Sequence, residues 1–177
     1  LNSASTSTTI TATSTDATKL PYTAGPIMVL NPSASSNFFR SNVVSGNWNN
    51  STSWESSANG SSGWQPSTLV PNQAASGISV RNGNTIKIIA TQTVDDVTIE
   101  SGAMVDHTAG TLTINDGVAA NDFVVSGIFR SAAIITKNGV LQVTNGGKYQ
   151  HNYTTATGTI PAAVWDTGST CEVIGYT

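Results

Sequence analysis

The chain has 177 residues, of which 10% are charged, and a formal net charge of −3. That length suits one domain, or one domain with an arm, and is enough to bury a core; its seven scattered Lys and Arg residues give no electrostatic footprint for nucleic acid. The single cysteine, Cys171, excludes an internal disulfide framework or a cysteine-based zinc site, and no apolar run approaches the length of a membrane span.

Polarity comes instead from Ser and Thr, more than a quarter of the chain, and from Asn. Thr suits a pleated surface, and Asn, Ser and Gly make turns. Leu1, with no initiator Met and no basic-then-apolar leader, reads as the first residue of a processed or trimmed chain, as after signal cleavage.

Residues 1–19 are a low-complexity Ser/Thr segment. By composition they are a leader or a site for O-linked sugar, and an extended strand docked on a sheet edge, its own or a partner's, is the simplest way to order them. Residues 20–77 form an N-terminal cap. Within it Ile27-Met28-Val29-Leu30 lies between prolines and reads as a short buried strand. Three of the four tryptophans, Trp48, Trp54 and Trp64, then fall in a Ser/Asn/Gly-rich stretch. Each brings a large apolar ring and one N–H that needs a partner. They can plug an open end of a core, or present aromatic faces to a ligand such as a sugar.

From residue 78 onward a repeat takes over. Gly83, Gly102, Gly127, Gly147 and Gly168 form one series of turn glycines, and Gly117, Gly139 and Gly158 form a second between them. Two interleaved turn series with a common period of about 20 residues predict an all-β fold, a right-handed parallel β-helix whose coils recur corner on corner. A β-sandwich of hairpins is the alternative. Stacking would place Ile88, Val97, Ile99, Leu112, Ile114, Val125, Ile135, Leu141 and Val143 in one core. The coils run over residues 78–177, and the final segment, Cys171-Glu172-Val173-Ile174-Gly175-Tyr176-Thr177, reads as an uncapped strand-and-turn unit. The polypeptide, or another chain, is therefore expected to continue there.

Ser45-Gly46-Asn47-Trp48 with Trp54, Trp64-Gln65-Pro66, Val70-Pro71, Ile78-Ser79-Val80, Val97-Thr98-Ile99-Glu100-Ser101-Gly102-Ala103-Met104 and Trp165-Asp166-Thr167-Gly168-Ser169-Thr170-Cys171-Glu172-Val173 carry a resemblance. Over about residues 44–177 the chain resembles secreted and cell-surface β-helix proteins of the Bacteroidetes, adhesin-like and exported by the type IX secretion system. The resemblance implies a large exported polypeptide of which this is the N-terminal piece.

Candidate chemistry is sparse. Asp95, Asp96, Glu100 and Asp106 lie close in sequence, and clustered carboxylates can hold Ca²⁺. Adjacent side chains on a strand diverge, however, so Asp95 and Asp96 converge only at a turn, and the expectation is solvated carboxylates with no cofactor. His107 and His151, about two coils apart, can share a face but lack a third metal ligand; surface histidines are expected. No G-x-S-x-G elbow occurs. In Tyr149-Gln150-His151-Asn152-Tyr153 the odd positions share one face, read here as outward and able to stack on sugar rings or cover a loop. The candidate ligand-binding residues are Trp48, Trp54, Trp64, Tyr149 and Tyr153. The expected function is a non-enzymatic structural or adhesive segment of a secreted or cell-surface protein, with surface glycans as candidate partners. The alternatives are a polysaccharide lyase or hydrolase and a carbohydrate-binding module.

Overall fold

The computed structural model describes residues 32–155 and 157–176. The arm expected over residues 1–19 and the strand expected over residues 27–30 lie outside them. Coil follows coil in chain order. An opening pair, β1 (Phe38–Ser41) and β2 (Ser45–Asn47), leads into a cap made of a 3-10 turn (Ser51–Ser53), β3 (Trp54–Ser57) and β4 (Gln65–Pro66). The next coil holds β5 (Gly77–Val80), β6 (Thr85–Ile88) and β7 (Gln92–Val94); the one after it β8 (Val97–Ile99), β9 (Met104–His107) and β10 (Leu112–Ile114). Then come β11 (Phe123–Val125), β12 (Ile128–Ser131) and β13 (Ile135–Lys137), followed by β14 (Leu141–Val143), β15 (Lys148–Asn152), β16 (Val164–Trp165) and β17 (Thr170–Gly175).

Equivalent strands pair in parallel across coils, giving three sheets that run along a β-solenoid of about four turns. The first sheet stacks β1, β5, β8, β11, β14 and β16, the second β2, β6, β9, β12, β15 and β17, and the third β7, β10 and β13. Register fixes the coil length: Ile78 pairs with Val97, Val97 with Phe123 and Phe123 with Leu141. This ladder is parallel throughout, which decides against the sandwich; antiparallel pairing among the described residues is confined to β3 against β1 and β4. The stack also begins one coil before the glycine series does. Phe39 in β1 pairs in parallel with Ile78, and the cap is an excursion between β2 and β5.

Such short strands suffice because each inward position stacks on its counterpart. On the first sheet Phe39, Ile78, Val97, Phe123 and Leu141 form one such column, and Val80, Ile99, Val125 and Val143 another, all buried. On the second, Ile86, Val105, Phe129 and Tyr149 do the same. Full burial of such a side chain is worth about 1.5–3 kcal/mol, but a lone coil offers its inward groups no neighbours above or below, so stability accrues coil by coil. The predicted core is found where expected, with Ile135 only partly buried.

The corner glycines work in two ways. Gly83 and Gly102 lie on consecutive coils with φ near +78° and +79°, a backbone region costly for any side chain with a Cβ, and the Gly83 N–H donates to Gly102 O at 3.1 Å. In the later coil the left-handed residue is Gly146, φ +78°, rather than Gly147, whose missing Cβ instead leaves room for the Val125 carbonyl.

The two ends differ. At the first, Trp48 and Trp54 are fully buried and meet edge to face at 5.0 Å. Their N–H groups are satisfied: Trp48 Nε1 donates to Pro71 O at 3.0 Å and Trp54 Nε1 to Trp48 O at 2.9 Å. At the other, Val164, Trp165, Val173, Ile174 and Tyr176 are exposed. No helix of the described residues is long and apolar enough to cross a membrane.

Candidate functional site

The outer face of the first sheet carries a groove of about 360 Å³ beside the cap. Register builds its floor, because outward Arg40, Ser79 and Thr98 stand in line on β1, β5 and β8. The loop between β3 and β4 brings Trp64 over this line. The Arg40 guanidinium lies 4.2 Å from the Trp64 ring centre and its Nε donates to Glu55 Oε2 at 2.8 Å. Across the groove Arg81 Nε donates to Ser41 O at 2.6 Å, and Glu100 Oε2 accepts from the Asn82 N–H at 3.0 Å. Asp96 also lines it.

Asp96 belongs to an acidic corner as well. Carboxylate oxygens of Asp95, Asp96 and Asp122 lie within 4.8 Å of one another, which corrects the expectation that the first two diverge as solvated groups. Asp96 turns the chain with φ 51°, the one positive φ at a non-glycine residue among the described residues. Asp122 arrives through the coil register: it precedes Phe123 as Asp96 precedes Val97, and those two pair. That the residue one coil later is again an Asp before an apolar strand was the available signal. Buried Asp122 accepts from the N–H groups of Gly117 (2.8 Å) and Val140 (2.6 Å), so one oxygen ties down the loop after β10 and the other the turn that leads into β14 on the next coil.

The electrostatics follow the hydrogen bonds. Burial pushes the Asp95 carboxyl up, and the neighbouring Asp96 and Asp122 carboxylates reinforce this against the Asp96 N–H. Asp96 is raised by burial and then by Asp122. For Asp122 burial also pushes upward, but the Val140 and Gly117 N–H groups and the hydrogen bond from Asp95 outweigh it and hold the group below its ordinary value. The two shifts run in opposite directions, so within this pair a proton is held more readily by Asp95 than by Asp122. Among these oxygens Asp96 Oδ1 is buried without a hydrogen-bond partner.

The solenoid interior holds a second polar set, contrary to the surface positions expected from sequence. His107, Ser131 and His151 follow one another on β9, β12 and β15, and all three are buried. His107 Nε2 meets Gly110 O at 3.2 Å and Nδ1 meets Ser131 Oγ at 3.0 Å. A carbonyl only accepts, so the neutral ring carries its proton on Nε2, and the single Ser131 hydroxyl proton lies within reach of both Nδ1 and the Ala133 carbonyl, each 3.0 Å from Oγ. Tyr153 OH donates to Ala133 O, and its ring stacks on His151 at 4.5 Å. Burial lowers the affinity of both imidazoles for a proton.

Of the candidate ligand-binding residues, only Trp64 is placed on the groove. Trp48, Trp54, Tyr149 and Tyr153 are buried, leaving no ring face for a ligand to stack on. The odd positions of β15 do share one face, but it is the inward one: two faces compete to fill the core, and here Tyr149 packs against Phe129 at 5.6 Å. Glu100 lines the groove, whereas Asp106 stands on β9 opposite Arg130. Compared with models of protein families, with curated proteins and with solved structures, the chain matches none.

Proposed function

We propose that this chain is a non-catalytic structural and adhesive segment of a longer secreted or cell-surface protein, in which further coils stack on β16 and β17. The observation that carries this reading is the contrast between the ends of one stack. Inward positions that are fully buried on β15 give way, in register, to Cys171 and the 54%-exposed Val173 on β17. A bare apolar coil with a free strand edge is a template for more β-structure. Export fits the resemblance to adhesin-like Bacteroidetes proteins and the Ser/Thr-rich surface, and the outer faces of the sheets would then serve as the contact surface.

Sedimentation and amide exchange test it. Residues 164–176 should exchange orders of magnitude faster than β8–β12, and the chain should self-associate with concentration until Val173→Lys is introduced. A chain that stays monomeric at high concentration with a protected last coil contradicts the proposal.

A further inference from the structure

We infer that the groove between Trp64 and Arg81 is a binding subsite for a neutral pyranose unit of a glycan. The inference deepens the adhesive reading and rests on it. A volume of about 360 Å³ lies at the small end of the ~300–1,000 Å³ typical of small-molecule sites, which suits a ligand of sugar size rather than a protein surface.

The apolar wall is set before any ligand arrives. Arg40 holds the Trp64 ring and is itself held by Glu55. Phe38, also on the groove, is clasped by two glycines, since a Cβ at Gly60 would come within 2.8 Å of its ring and one at Gly77 within 3.1 Å. Little side-chain ordering is then left to oppose binding.

The polar side matches vicinal hydroxyls, each of which both donates and accepts. Arg81 offers guanidinium donors and Glu100 a carboxylate acceptor, with hydroxyls from Ser79 and Thr98 on the floor. Charge selects against ions: Arg40 is paired with Glu55, and Arg81 faces a site that also holds Glu100 and Asp96, so no surplus of positive charge is left for an acidic sugar.

The test is titration of the whole chain with methyl glucoside, galactoside and mannoside, and with methyl galacturonoside, by ¹H–¹⁵N NMR and calorimetry. Saturable shifts at Gly77, Ser79 and Thr98 with at least one neutral glycoside are expected. Trp64→Ala and Thr98→Trp should each weaken binding about tenfold or more, the second by filling the groove from an outward position with an unchanged thermal midpoint. Saturable binding of no neutral glycoside overturns the subsite, as does a response only to the uronide, or binding that survives both substitutions. None of these touches the scaffold reading, which fails separately if the recovered sugar is chemically altered.

Discussion

The two ends of this solenoid solve the same problem differently. Both expose, in principle, a layer of core side chains and a free strand edge. At the first end the chain leaves the stack after β2, turns Trp48 and Trp54 over the layer and lays β3 antiparallel along β1. At the last end β16 and β17 carry apolar side chains that nothing among the described residues covers. Closure thus requires an interruption of the repeat, with bulky rings whose polar atoms have partners; continuation requires only another coil.

The sharpest way to break the contrast is to open the closed end. Trp54→Ala should cost about 3–5 kcal/mol, as for other buried aromatic truncations, read as a shift in urea midpoint at constant slope. Trp165→Ala, at 39% exposure, should cost well under half as much. A larger loss at Trp165 than at Trp54 would mean that the described last coil is already covered.

The interior histidines come next. Their proton affinity is lowered by folding, so the unfolded chain takes up protons first, from about pH 6.5 downward. Stability is retained above that value and falls as pH drops toward the folded-state values. Asp95 and Asp96 are raised and act with the opposite sign, so the histidine contribution is isolated by comparing variants. Urea unfolding between pH 7.5 and 5.5 should show a flatter pH dependence in His107→Gln than in the wild type; identical slopes would place His107 in water.

At the acidic corner Asp95→Asn should stabilise the chain at pH 7 by about 1 kcal/mol. The amide can keep its bond from the Asp96 N–H while donating to Asp122, and it removes one charge from three. A fall in melting temperature instead would show that the carboxylate itself is required. The smallest effect belongs to the open end, where Val173→Lys should alter stability by no more than about 0.5 kcal/mol in calorimetry; a large loss there would mean that Val173 is buried in solution.

Much of the coil structure was legible because it is local. A recurring period, Gly at the corners and short apolar strands such as Val97-Thr98-Ile99 admit few arrangements. What the period could not give is what the coils make adjacent. Asp96 and Asp122 are separated by a whole coil of sequence and became neighbours because the segment 115–122 lengthens that coil without disturbing the pairing of Val97 with Phe123. Arg40 and Trp64 meet only because the cap folds back on β1.

By itself, then, the sequence determined the all-β class, the stacked repeat and most of its aliphatic core, since each follows from alternation and turn chemistry along a few residues. Tertiary structure decided which face of β15 is inside, that His107 and His151 are buried, and that Trp64 alone of the three clustered tryptophans reaches a groove. Alternation says that two residues share a face but not which way that face turns; only the competition to fill one column, coil over coil, settles it.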